Sequence, residues 1–223
     1  MTFIAICDSF SGGFEEALEY AERIGVFSAF GDSERKRISS IAQRSSKELS
    51  LRALIALKVL CDKAGLQQDK LTIKRNENGK PLFVCGEHYF SLSHSGDLAV
   101  AALSRTEIGI DIERIAERQS LPKLADRFFC VSEREYYEKS GGTPDAFYRV
   151  WTAKEALVKR RGETLSQLSS SMDTLTLEES GDEHFHRLKV ELRKEDYFMT
   201  VSLGGDDELD ISFINCEPNV KAE

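Results

Sequence analysis

The run from Leu49 to Ala64 is apolar on most faces, and a helix built from it must be covered on nearly every side by the rest of the chain. Gly65 follows where a helix C-terminal cap is wanted, which makes this buried helix the expected centre of the first half. The surrounding pattern supplies its cover. Phe3 to Cys7 is an apolar run suited to a strand, and Phe14 to Phe30 has helical spacing through Ala17, Leu18, Ala21 and Ile24. Leu71 to Arg75 alternates as a strand, and Asn76-Glu77-Asn78-Gly79 is turn chemistry. Apolar runs at Pro81 to Val84, Tyr89 to Ser93, Leu98 to Leu103 and Ile108 to Ile112 then predict a meander of strands.

A second half begins near Glu107. Ser132-Glu133-Arg134-Glu135 has the form of a capping box opening a helix, and Asp145 to Arg161 is a longer helical pattern stopped at Gly162. Leu188 to Leu192, Tyr197 to Leu203 and Asp210 to Asn215 predict strands; Ser169 to Ser171 predicts a mobile loop and Glu217 to Glu223 a solvated tail. Each half, 1–106 and 107–223, is near the lower size limit for a free-standing fold. The expectation is therefore an α+β protein whose two halves pack together.

Composition narrows the functions available. The 223 residues carry 30 Lys+Arg against 38 Asp+Glu, a net charge of −8, which argues against nonspecific nucleic-acid binding because such binders need a basic field. An anionic ligand has to be met by a local cluster of positive charge. Cys7, Cys61, Cys85, Cys130 and Cys216 are scattered without disulfide or zinc spacing and read as reduced thiols of a cytoplasmic protein. The start lacks a basic n-region, and the longest apolar stretches fall far below the roughly 18 residues that a membrane span requires. Neither a membrane nor a nucleic-acid partner is expected.

Four segments can carry chemistry. In Ile108-Gly109-Ile110-Asp111-Ile112-Glu113, strand alternation puts both carboxylates on one face and the isoleucines on the other. Two like charges side by side suit a hard cation such as Mg²⁺, although the pair alone fits a solvated strand end better. In Trp151 to Lys159, helical spacing aligns Trp151, Glu155 and Lys159; taken alone, an ordinary i,i+4 surface pair beside a core aromatic is the preferred account of that stripe. Ser91-Leu92-Ser93-His94-Ser95-Gly96 forms a corner suited to phosphate oxygens or to a plain turn, and Gly79-Lys80-Pro81 shares that ambiguity. His184 and His186, with no third ligand nearby, read as surface histidines.

Taken together and in order, Gly79-Lys80-Pro81, Phe90 to Ser95, Ile108 to Glu113 and Trp151 to Lys159 resemble the 4′-phosphopantetheinyl transferase superfamily, in its long, surfactin-synthetase-activating type. The resemblance implies a pseudo-twofold α+β fold of two similar halves, with coenzyme A bound between them and Mg²⁺ on its pyrophosphate. It implies transfer of 4′-phosphopantetheine from coenzyme A to a serine of an apo acyl or peptidyl carrier protein, with release of 3′,5′-ADP, by a monomer. By motif position, Asp111, Glu113 and Glu155 are the implied metal ligands, and Ser93 and His94 the contacts to coenzyme A phosphates. Lys80 and Pro81 then lie at the nucleotide, Lys159 faces the transferring phosphate, and Glu155 is the candidate general base.

The 3′-phosphate of coenzyme A has Arg35, Lys36, Arg37, Arg44 and Lys47 as candidate partners, with Arg44 or Lys47 at the key position. Gly162-Glu163-Thr164-Leu165 departs from the glycine-x-glycine-leucine turn common in the family. A positive patch for an acidic carrier could form around Arg127, Arg134 and Arg149. The rival reading is a noncatalytic coenzyme A-binding protein of the same fold. A nucleotide phosphotransferase is disfavoured because the chain has no G-x-x-x-x-G-K-[ST] loop.

Overall fold

The computed structural model describes residues 1–164, 172–204 and 208–214, and the backbone of 219–222. The predicted loop at Ser169 to Ser171, Leu165 and Cys216 lie outside the described residues. Contacts divide the chain into two units, Met1–Glu107 with Asp207–Glu217, and Ile108–Asp206 with Pro218–Glu223.

The first unit opens with β1 (Thr2–Cys7), α1 (Gly13–Arg23), α2 (Val26–Phe30), α3 (Asp32–Ser40) and α4 (Arg44–Lys63). A hairpin of β2 (Ile73–Arg75) and β3 (Pro81–Phe83) follows, then β4 (Tyr89–Ser95) and β5 (Leu98–Ser104). The second unit contains β6 (Ile108–Arg114), α5 (Leu121–Phe128), α6 (Val131–Lys139), α7 (Pro144–Arg161), α8 (Thr174–Glu179), β7 (His184–Leu192) and β8 (Glu195–Leu203). Two further strands, β9 (Leu209–Ile214) and β10 (Asn219–Ala222), belong to the first and second units respectively.

In the first unit, the sheet runs β4-β5-β1-β9, with β1 antiparallel to β5 and parallel to β9. The buried helix α4 lies on this sheet, with Leu51, Leu54, Ile55, Leu57 and Leu60 fully covered. Each such side chain contributes about 1.5–3 kcal/mol on burial, which is why a run apolar on most faces becomes the centre of the unit. Its end is as the sequence predicts: Gly65 adopts φ +67° while Leu66 N–H donates to the Cys61 carbonyl.

Three expectations are corrected. Phe14 to Phe30 forms two helices, because Gly25 takes φ +73°, a left-handed conformation that stops α1 and opens α2. The predicted meander is split. Both edges of β5 are taken, by β4 and β1, so the next strand cannot join it; β6 pairs instead with β8, and β2 and β3 form their own two-stranded sheet. The predicted tail at Glu217 to Glu223 contains β10, which pairs antiparallel with β7.

In the second unit, the sheet runs β10-β7-β8-β6, and α7 packs on β6 and β8. The packing is at backbone distance. A Cβ built on Gly109 would come within 1.8 Å of the Ala156 carbonyl oxygen and 2.6 Å of the Arg160 nitrogen, so only glycine permits this approach. Gly109, Asp111 and Glu113 share the face turned to α7, while Ile108, Ile110 and Ile112 are fully buried on the other. Between helix and sheet, the Thr152 and Thr200 hydroxyls are hydrogen-bonded at 2.7 Å. Thr143 caps the start of α7, with Pro144 in its first turn, and Gly162 at φ +69° ends it.

Gly109→Ala is expected to force α7 off β6 and to lower stability by about 1–3 kcal/mol, the usual cost of overpacking. A urea midpoint unchanged from wild type would show that the contact is not limiting.

Candidate functional site

In the second unit, the close approach at Gly109 brings the acidic face of β6 under α7. Asp111 is 4% exposed, and its Oδ1 accepts a hydrogen bond from Lys159 Nζ at 2.7 Å. Glu155 lies one helical turn before Lys159 and is half-buried. Burial first, then Asp111 and, more weakly, Glu113 push its carboxyl up from 4.5 to about 7, against the opposing charge of Lys159. These charges therefore share one local field. The surface-pair alternative for Glu155 and Lys159 does not describe this arrangement, since Lys159 reaches across to the strand acid. Trp151, at the other end of the stripe, stacks on Phe147 at 5.6 Å and meets Phe128 edge-on, as a core aromatic does.

Among the described residues, no group of three or more His, Cys, Asp and Glu side chains is spaced as a ready metal cage. Lys159 supplies the countercharge to Asp111. The donor set nonetheless suits Mg²⁺, which takes one or two carboxylates and fills its remaining positions with water and substrate phosphate oxygens. Asp111, Glu113 and Glu155 offer hard oxygen donors whose mutual repulsion a cation relieves. His184 is exposed and His186 half-buried on β7, and neither belongs to such a group.

One anchor of α7 escaped the sequence reading. Lys154 is 1% exposed and forms an ion pair with the fully buried Glu133 at 2.8 Å, while also donating to the Met172 carbonyl at 2.6 Å. Glu133 also accepts from Cys130 N–H and from both the backbone and hydroxyl of Thr174. One buried carboxylate thus ties α6, α7 and the start of α8 together. It also moves the predicted helix start: the residue capped by Glu133 is Cys130, and Ser132 instead donates to Asp173. The Cys130 thiol is pushed up to about 11, by burial first and then by Glu133, and stays protonated. Lys154 was detectable as a charge on the helix face of Val150, Trp151, Leu157 and Val158, which lie three and four positions away and are all apolar.

In the first unit, Lys80 and Pro81 stand where the hairpin turn enters β3, and Ser93 and His94 occupy β4 opposite Val100 and Ala99. β3 packs beside β4, with the Phe83 and Phe90 rings 4.5 Å apart. Ser93 is buried and His94 exposed. The turn after them is held by Arg52, 3% exposed within α4, which donates to the Asp97 carbonyl at 2.7 Å. Sequence reasoning passed over Arg52, although a cation inside so apolar a run must find a buried partner. The candidate phosphate partners are spread out: Arg44 pairs with Glu15 and Arg35 with Glu22, Arg37 holds Glu34, and Lys47 lies over the Phe14 ring at 5.7 Å. Lys36 is exposed.

Residues 107–209 match the model of the 4′-phosphopantetheinyl transferase superfamily. Among curated relatives, the 4′-phosphopantetheinyl transferase AcpT of Salmonella typhi is 42% identical over 105 residues, covering 44% of this chain and 54% of the relative. The 4′-phosphopantetheinyl transferase gsp of Aneurinibacillus migulanus is 34% identical over 111 residues, covering 49% and 46%. HetI of Nostoc, also named a 4′-phosphopantetheinyl transferase, is 34% identical over 124 residues, half of each chain. The chain spans about half the length of the curated relatives it matches. Among the described residues, no helix is long and apolar enough to cross a membrane.

The raised Glu155 pKa gives a test in metal-free buffer. An acid whose folded pKa exceeds its ordinary 4.5 favours the fold while protonated, and that advantage is lost as pH rises toward about 7. Glu155→Gln should therefore gain thermal stability over wild type at about pH 8 but not at about pH 5. An equal difference at both pH values would show that Glu155 ionises normally.

Proposed function

We propose that the protein transfers 4′-phosphopantetheine from coenzyme A to a serine of an apo acyl or peptidyl carrier protein, releasing 3′,5′-ADP. The observation that carries this reading is the convergence of Asp111, Glu155 and Lys159 on one face, inside the segment that matches the superfamily. A face with paired carboxylates and one ammonium suits a reaction in which a nucleophile attacks phosphorus that already bears negative charge, where alignment and charge neutralisation dominate.

Asp111, Glu113 and Glu155 would hold Mg²⁺. When bound, the ion neutralises the pyrophosphate and stabilises the departing 3′,5′-ADP. Lys159, held at the site by Asp111, offers its remaining N–H groups to the nonbridging oxygens of the transferring phosphate. Glu155 takes the proton of the attacking serine, directly or through a water. Lys80 and Pro81 at the hairpin and Ser93 and His94 on β4 serve as contacts for coenzyme A, and Arg44 and Lys47 as candidates for its 3′-phosphate. The protein acts as a cytoplasmic monomer.

Incubation with coenzyme A, Mg²⁺ and a panel of apo carriers should add the mass of phosphopantetheine to at least one carrier, read by intact-mass spectrometry. Asp111→Ala and chelation with EDTA should each reduce the rate by about 100-fold or more, the scale seen when a preorganised charge-stabilising group is removed. Coenzyme A binding by calorimetry with no transfer to any carrier would instead favour the noncatalytic binder.

A further inference from the structure

The turn that carries Lys80 is determined by an unusually complete set of bonds within the first unit. Asn76 Oδ1 accepts the backbone N–H groups of Asn78 and Lys80 at 3.1 and 2.8 Å. Asn76 N–H donates to the Lys80 carbonyl at 3.0 Å, and Gly79 N–H to the Asn76 carbonyl at 2.9 Å. Gly79 itself sits at φ +84°, where a side chain is strained. These contacts shape the turn but do not attach it to anything.

Attachment comes through Arg75. Its Nη1 donates to the Gly79 carbonyl at 3.0 Å, and its Nη2 donates to both carboxylate oxygens of Glu34, at 3.1 and 3.3 Å. Glu34 is only 3% exposed, projects from α3, and is held from its other side by Arg37 Nε at 2.7 Å. A buried carboxylate is costly unless paired, so its two guanidinium partners fix its position closely. The guanidinium of Arg75 is a planar fork, and it spends one arm on the buried anion and the other on the turn.

We infer that Glu34 and Arg75 are positioning residues for coenzyme A: Arg75, oriented by Glu34, sets the turn that presents Lys80 to the nucleotide. This rests on the coenzyme A reading above. It assigns Arg75 and Arg37 to holding Glu34 and the turn, and leaves Lys80 as the group that meets the anion. A basic residue beside a proposed phosphate site would ordinarily be counted as a phosphate ligand; the bonds of Arg75 are directed elsewhere.

The test is a double-mutant cycle on Arg75→Met and Lys80→Ala, with coenzyme A varied at saturating carrier. Each single variant should raise KM for coenzyme A about tenfold, the loss of one charge-assisted hydrogen bond, with kcat changed less than about twofold. The double variant should be no worse than Lys80→Ala alone, because Arg75 acts through Lys80. Arg75→Lys should restore only part of the affinity, since an ammonium cannot hold Glu34 and the turn as a fork does. Glu34→Gln should raise KM in the same direction. Thermal unfolding of every variant identifies losses due to misfolding, and an additive double variant, about 100-fold, would overturn the inference by showing Arg75 to be an independent ligand. An unchanged KM in Arg75→Met would overturn it as well. If wild type binds coenzyme A without transferring, the transferase reading fails, and the same cycle is then read from calorimetric dissociation constants. If Lys80→Ala alone leaves affinity unchanged, the Lys80 assignment fails and the positioning role fails with it.

Discussion

The second unit depends on one backbone contact, that of α7 against β6 at Gly109. With the Ala156 carbonyl lying where a Cβ would stand, the helix sits closer to the sheet than any side chain allows. The distance from Asp111 to Lys159, and the electrical influence of Asp111 and Glu113 on Glu155, follow from that approach. A wider separation would leave the strand acids facing water and the helix groups as an exposed i,i+4 pair, worth only a few tenths of a kcal/mol. Burial turns the same residues into a coupled site, because charge interactions strengthen as water is excluded.

Buried charges elsewhere act as fasteners for the segments that carry candidate groups. Lys154 and Glu133 join α6, α7 and α8; Arg52 ties α4 to the turn after His94; Glu34 joins α3 to the hairpin of Lys80 through Arg75. None is favoured as a source of stability, since desolvating an ion offsets much of what its partner returns. Each is specific, because a buried ion with a missing partner is costly. Irregular chain near a site is held by such bonds in place of apolar packing, and the apolar core is left to set the layers. This division of work explains why both units place short turns against long helices without loss of definition.

Much of this was legible in the residues. The apolar character of Leu49 to Ala64 on most faces predicted a central helix, and α4 is that helix. Gly65 and Gly162 predicted helix ends that the structure has. The alternation through Asp111 and Glu113 placed both acids on one face, and four ordered motifs pointed to the superfamily that residues 107–209 match. The break at Gly25 was less legible, since the apolar spacing runs through it while only the backbone reverses sign. The strand partners were not legible at all: whether β5 has a vacant edge depends on β1, almost a hundred residues earlier.

Sequence by itself determined the periodicities, the helix ends at Gly65 and Gly162, the chemical identity of the acids and lysines, and their order along the chain, because these depend on neighbours within a turn or two. Tertiary structure alone decided which charges meet. Lys159 finds Asp111 across 48 positions, Lys154 finds Glu133 across 21, and Arg75 finds Glu34 across 41. Electrostatic energy depends on distance in space and on exclusion of water, and neither is a property of spacing along a chain.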